Sequence, residues 1–130
     1  MASILVIEPD AVLATTYAEA LMQAGYQPVV AATAQSAIHA ADEQLPDLII
    51  LELQLAAHNG IEFLHEFRSY PEWQDVPVII NSYTPPQEYQ QVQETLATTL
   101  GVRAFLYKPR ISLQLLLRAV AEHSTAKATV

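Results

Sequence analysis

Four side chains in this sequence share an address. Glu8, Glu52, Ser82 and Lys108 each stand where a short apolar run ends: Ile4-Leu5-Val6-Ile7 leads to Glu8, Leu48-Ile49-Ile50-Leu51 to Glu52, Val78-Ile79-Ile80 almost to Ser82, and Ala104-Phe105-Leu106-Tyr107 to Lys108. Asp10 follows two residues after Glu8. Carboxylates, a hydroxyl and an ammonium gathered from four strand ends would form one polar site, with ion pairs available inside it. Taken singly, each has an ordinary reading. Glu8 and Glu52 suit solvated strand ends, Ser82 suits a strand terminus, and Lys108 suits a structural ion pair. Other chemistries lack their residues. There is no cysteine, and the three glycines (Gly25, Gly60, Gly101) form neither a GxGxxG nor a phosphate-cradling loop. His58 and His65 lack metal-ligand spacing, and no GxSxG or HExxH motif occurs.

The elements that must position these residues alternate in period. Continuous apolar runs suit strands buried on both faces, and between them lie stripes at helical spacing. Ser3–Ile7 reads as a strand. Val12, Leu13, Thr16, Tyr17, Ala20, Leu21 and Ala24 then form a helical stripe, with Asp10 as N-cap and Gly25 as terminator. A strand over 28–32 and a helix over 34–44, capped by Thr33, follow. After the strand 47–52, a loop through His58-Asn59-Gly60 leads to a helix facing inward with Ile61, Leu64 and Phe67. Residues 69–76, with Tyr70, Pro71 and Trp73, read as a loop. Pro85-Pro86 opens a polar helix over 87–100 with a thin stripe of Tyr89, Val92 and Leu96. The last helix, capped by Ser112, presents Leu113, Leu116, Leu117 and Val120 to the core, and residues 124–130 read as a frayed tail. Five strand–helix repeats in one domain over 1–123 predict an α/β doubly wound parallel sheet.

The 130 residues are 52% hydrophobic, enough for one well-buried core, and carry a net charge of −8. No Lys or Arg precedes Arg68, whereas nine acids do, which predicts an acidic flank. Phosphate-backbone binding needs clustered cations, so no nucleic-acid partner is expected. The start MASILVIEPD has no basic n-region, and no stretch reads as a membrane span, so a cytoplasmic location and no membrane partner are expected.

Along residues 3 to about 122 the sequence resembles the receiver domain of bacterial response regulators. The matching segments are ILVIEPD, PDLIILELQLAAHNG, VPVIINS and GVRAFLYKP. The resemblance implies a flavodoxin-like (βα)5 fold with strand order 2-1-3-4-5. It puts Glu52 at the phosphoacceptor position, Glu8 and Asp10 in an acidic pocket, Ser82 and Phe105 at the switch positions, and Lys108 at the phosphoryl-contacting lysine. In this family a histidine kinase supplies the phosphoryl group and Mg²⁺ assists. Partners meet the surface of the fourth helix, fifth strand and fifth helix, here Gln90, Gln91, Glu94, Arg103, Tyr107 and Arg118.

Several positions depart from the family pattern. Glutamate at 52 moves the carboxylate by about an ångström relative to aspartate, and a displacement of that order can cost in-line transfer ~100-fold. Pro9 stands where a second metal-binding acid is usual, so no metal or other cofactor is expected, and at most weak Mg²⁺ binding at Glu8 and Glu52. Tyr83 replaces a small residue and would cover part of the pocket mouth. With two glutamates against one lysine, Lys108 is expected to pair directly with Glu52, with Ser82 as a further donor. The resulting expectation is a non-enzymatic pseudo-receiver in two-component phosphorelay signalling, acting by protein–protein contact with a histidine kinase, a downstream signalling protein or a second copy. The alternatives are a working phosphoacceptor that uses Mg²⁺, and a structural dimerisation module with an inert pocket.

Overall fold

The apolar runs become strands, buried on both faces over Ser3–Ile7, Leu48–Leu51 and Val78–Ser82, and helices between them cover the sheet. A computed structural model describes residues 1–129. The order is β1 (Ser3–Ile7), α1 (Ala11–Gln23), β2 (Gln27–Ala31), α2 (Ala34–Glu43), β3 (Leu48–Leu51), α3 (Gly60–Arg68), β4 (Val78–Ser82), α4 (Gln93–Thr98), β5 (Val102–Tyr107) and α5 (Leu113–His123). The five strands are parallel in the order β2-β1-β3-β4-β5, as expected.

Alternation along the strands divides the core in two. Leu5, Ile7, Ile49, Leu51, Val78 and Ile80 face a cluster with Ala37 of α2, Phe63 and Phe67 of α3, Leu96 of α4, and Trp73 in the 3₁₀ turn Pro71–Trp73. Ile4, Val6, Leu48, Ile50 and Ile79 face Tyr17 and Leu21 of α1 and Leu116 and Val120 of α5. Helix starts are set by side-chain caps. Asp10 accepts from the Val12 and Leu13 amides at 2.9 and 3.1 Å. Thr33 and Asn59 make reciprocal capping boxes with Ser36 and Glu62, and Ser112 caps α5.

Three expectations are corrected. The polar helix expected over 87–100 is broken: Pro86–Val92 forms 3₁₀ turns in which Tyr89 leaves helical geometry (φ −121°, ψ 18°), and only Gln93–Thr98 is α-helical. Burying Tyr89 against the core overrides the helical pattern there. The inward face of α5 is narrower than read, because Leu113 is exposed. The tail expected to fray is tied down: the Thr125 amide donates to the Asp47 carbonyl and the Thr129 amide to the Gly25 carbonyl. Residue 130 lies outside the described residues. No described helix is long and apolar enough to cross a membrane.

Candidate functional site

The carboxyl ends of β1, β3, β4 and the residue after β5 meet at one point. Lys108 lies in a 3₁₀ turn (Lys108–Arg110) just beyond β5, and its Nζ donates to Glu8 Oε1 at 2.6 Å and to Glu52 Oε1 at 2.7 Å. All three groups are buried, with exposures of 4% for Glu8, 3% for Glu52 and 8% for Lys108. A buried charge persists only when paired and hydrogen-bonded, and here both conditions hold.

Glu52 is the most completely bonded of the three. Its Oε1 also accepts from the Tyr83 amide at 3.1 Å. Its Oε2 accepts from the Gln54 amide at 2.9 Å and from the Ser82 hydroxyl. Four donors fill the four acceptor directions of a carboxylate. Burial alone would raise the Glu52 pKa; the bonds from Lys108, Ser82 and Gln54 outweigh it and hold the carboxyl below its usual range. Burial alone would likewise lower Lys108; its bonds to Glu52 and Glu8 reverse this and hold the ammonium above its ordinary value.

Two loops close over the cluster. The Tyr83 ring lies with its centroid 4.5 Å from Lys108 Nζ, a cation–π contact. The Gln54 side-chain amide donates to Thr84 Oγ1 at 3.1 Å, tying the loop after β3 to the loop after β4. Ser82 Oγ also accepts from the Thr84 amide at 3.0 Å.

The structure brings Glu8, Glu52, Ser82 and Lys108 together and leaves Asp10 out. The Asp10 carboxylate is exposed on the α1 amides, and only its backbone N–H reaches the site, donating to Glu8 Oε2 at 3.0 Å. N-capping takes that side chain, which corrects its place in the acidic pocket. Phe105 is half-buried and stacks on Tyr89 with centroids 5.9 Å apart. Tyr89 itself is buried with an unpartnered hydroxyl; burial first, then the Glu52 charge, raise its pKa. The sequence reading treated Tyr89 only as part of a helical stripe. Gln90, Gln91, Glu94, Arg103 and Arg118 are exposed and Tyr107 is half-buried. Gln90 and Gln91 lie on the 3₁₀ segment rather than on a fourth helix. A register shift between β4 and β5 falls at Arg103, between the Val78–Val102 and Ile79–Ala104 pairs.

The donor set does not fit a resident Mg²⁺. Such an ion needs converging oxygens, yet Glu8 and Glu52 turn oxygens onto an ammonium, Asp10 faces helix amides, and Pro9 has no side-chain oxygen. Among the described residues, no three His, Cys, Asp or Glu are grouped to hold a metal.

Comparison with known proteins bears on the family and the fold. The chain is 35% identical over 77 residues to the phosphate regulon transcriptional regulatory protein PhoB of Escherichia coli, covering 59% of this chain and 34% of that protein. It is 32% identical over 109 residues to the KDP operon transcriptional regulatory protein KdpE of Escherichia coli, covering 84% and 45%. The chain thus spans less than half the length of these relatives. Its fold is similar to that of the chemotaxis protein CheY4 of Vibrio cholerae, with a TM-score of 0.81, 22% identity and coverage of 95% and 98%. It is also similar to a sensor protein from Polaromonas sp. JS666, with a TM-score of 0.83, 20% identity and coverage of 94% of both chains. The response regulator receiver domain model matches residues 4–121, nearly the whole chain, and on that match the chain belongs to the response regulator receiver domain family.

Proposed function

We propose that this receiver domain signals by protein–protein contact without accepting a phosphoryl group, with Glu52 at the acceptor position held by Lys108. One observation carries the reading: every acceptor direction of Glu52 is taken, one of them by the lysine that in this family contacts the phosphoryl group. In-line transfer requires a free, positioned oxygen, and Glu52 has none. The longer side chain reaching Lys108 and Ser82 partly imitates a phosphorylated aspartate, with one negative charge in place of nearly two. The proposed partner is a histidine kinase or a downstream signalling protein. It would dock on Gln90, Gln91, Glu94, Arg103, Tyr107 and Arg118, an exposed polar surface suited to a reversible, wet interface.

Incubation with Mg²⁺ and a small phosphodonor, read by intact mass, tests the proposal. The expected result is an unchanged mass. A stoichiometric adduct of one phosphoryl group, abolished by Glu52→Gln, would overturn it in favour of a working phosphoacceptor. Pull-downs with Glu52→Ala and Lys108→Ala separate signalling from a structural role. Folded variants that change no interaction would make the pocket inert.

A further inference from the structure

The edge of the sheet farthest from β5 carries a second surface. Ala11, Thr15, Ala18 and Met22 recur at helical spacing along α1, and beside them run Val30 and Ala32 at and beyond the end of β2. Together they line a groove of about 330 Å³ with a mostly apolar wall. Alternation explains the hollow. Val29 and Ala31 turn to the α2 side of the sheet, so Val30 turns to the α1 side, where the small side chains of Ala14 and Ala18 leave it uncovered. Met22 is 64% and Val30 46% exposed, which is high for large apolar side chains set side by side.

Two observations select what lies in the groove. The first is charge: Glu19 lines it, and none of the first 67 residues, which supply α1, β2 and α2, is Lys or Arg. With a net charge of −8, a second copy brings like charge to this flank, and an anionic lipid surface does the same. The second is backbone. Gln27 donates to the Ala2 carbonyl and Ala31 accepts from the Glu8 amide, so residues 28 and 30 face the free edge. Residue 28 is proline and has no N–H, which blunts strand addition. A helix laid along the groove needs no edge donors.

We propose that this α1–β2 groove docks an amphipathic helix of a partner protein, with an apolar stripe seated between Met22 and Val30 and Lys or Arg residues against the acidic flank. The surface lies at the opposite edge of the sheet from the β5 face and stands whether or not Glu52 accepts phosphate. A domain with a docking surface at each sheet edge can hold two partners at once.

The test uses the ¹⁵N-labelled full chain and two synthetic amphipathic helices with the same leucine stripe, one flanked by lysines and the other by glutamates. The lysine peptide is expected to shift the amides of residues 11–22 and 30–32, more weakly as salt rises. Met22→Lys, at an exposed position that should not disturb folding, removes an apolar anchor and adds a repelling charge, and is expected to weaken binding ~10-fold or more. Glu19→Lys should also weaken it, whereas Leu45→Lys, exposed on the loop before β3, should not. Equal binding of both peptides, shifts centred on β5 and α5, or unchanged affinity in folded Met22→Lys would each overturn the proposal. So would a free chain that dimerises through residues 11–22, since a second copy would then own the groove.

Discussion

The Arg68 guanidinium lies against Gly101 so closely that a Cβ added there would come within 2.6 Å of Nη2. Arg68, the last residue of α3, donates to three carbonyls: Leu100 at 2.9 Å, Trp73 at 2.5 Å and Val76 at 2.5 Å. One side chain thus ties the connections that lead into β4 and β5. Arg68→Ala leaves three partly buried acceptors without their donor and should cost about 3 kcal/mol. Urea unfolding followed by the fluorescence of Trp73, which stacks on Phe67 with centroids 4.8 Å apart, gives the check. A loss under about 1 kcal/mol would mean that water replaces the guanidinium at no net cost.

Lys108→Met should be more damaging than Glu52→Gln. The first strands two buried glutamates beside each other, a loss of about 3–5 kcal/mol. The second leaves Lys108 paired with Glu8. The double variant Lys108→Met/Glu8→Gln should recover part of the loss, and equilibrium unfolding of it beside Lys108→Met and Glu8→Gln reads the coupling.

The pair also sets the pH dependence. Glu52 is held below its ordinary value, so its contribution is complete above about pH 5 and is lost as pH falls through the lowered folded value. Lys108 is held above its ordinary value, so its contribution is complete below about pH 10 and fades only as pH rises through the raised folded value. Thermal melts across this range should show a broad plateau with an acid limb that flattens in Glu52→Gln. An acid limb identical in the variant and the native chain would assign it to other carboxylates.

Reversing the departures should restore a metal site. Pro9→Asp with Glu52→Asp adds a carboxylate and draws the residue 52 carboxylate back from Lys108 by about an ångström. The double variant is expected to bind Mg²⁺ in isothermal titration where the native chain does not. Equal Mg²⁺ affinity in both would contradict the ammonium-centred site.

Much of this was legible because runs and stripes differ in period. The order of β1 to β5, the caps at Asp10, Thr33 and Ser112, and the Glu52–Lys108 pair follow from local pattern, resemblance and charge arithmetic. The charge count set both glutamates against Lys108 but assigned the direct pair to Glu52 alone; the ammonium, with three donors, bonds both. The break at Tyr89 was missed because periodicity places an aromatic on a helical stripe but does not weigh the burial gained by unwinding the turn. Arg68 gave no signal, since its acceptors are backbone carbonyls that any sequence carries. The tail misled for a related reason: small polar residues look unanchored, yet Ala126 and Ala128 pack beside the α1–α5 core.

Gly25 adopts φ +93°, and a Cβ there would fall 2.0 Å from the Thr129 carbonyl oxygen. Gly25→Ala should therefore be destabilising in the full chain and less so in a chain cut after residue 123, where only the backbone strain of about 1 kcal/mol remains. Equal losses in the two backgrounds, measured by thermal melts, would show that the tail contributes nothing.

The Thr129–Gly25 hydrogen bond sits at the foot of α1, at the end of the sheet away from Glu52. A fluorophore or affinity handle joined to the exposed Lys127 would lie on that lower side. A sensor chip coupled through Lys127 would therefore hold the molecule upright, with the Tyr83 lid facing the flowing sample.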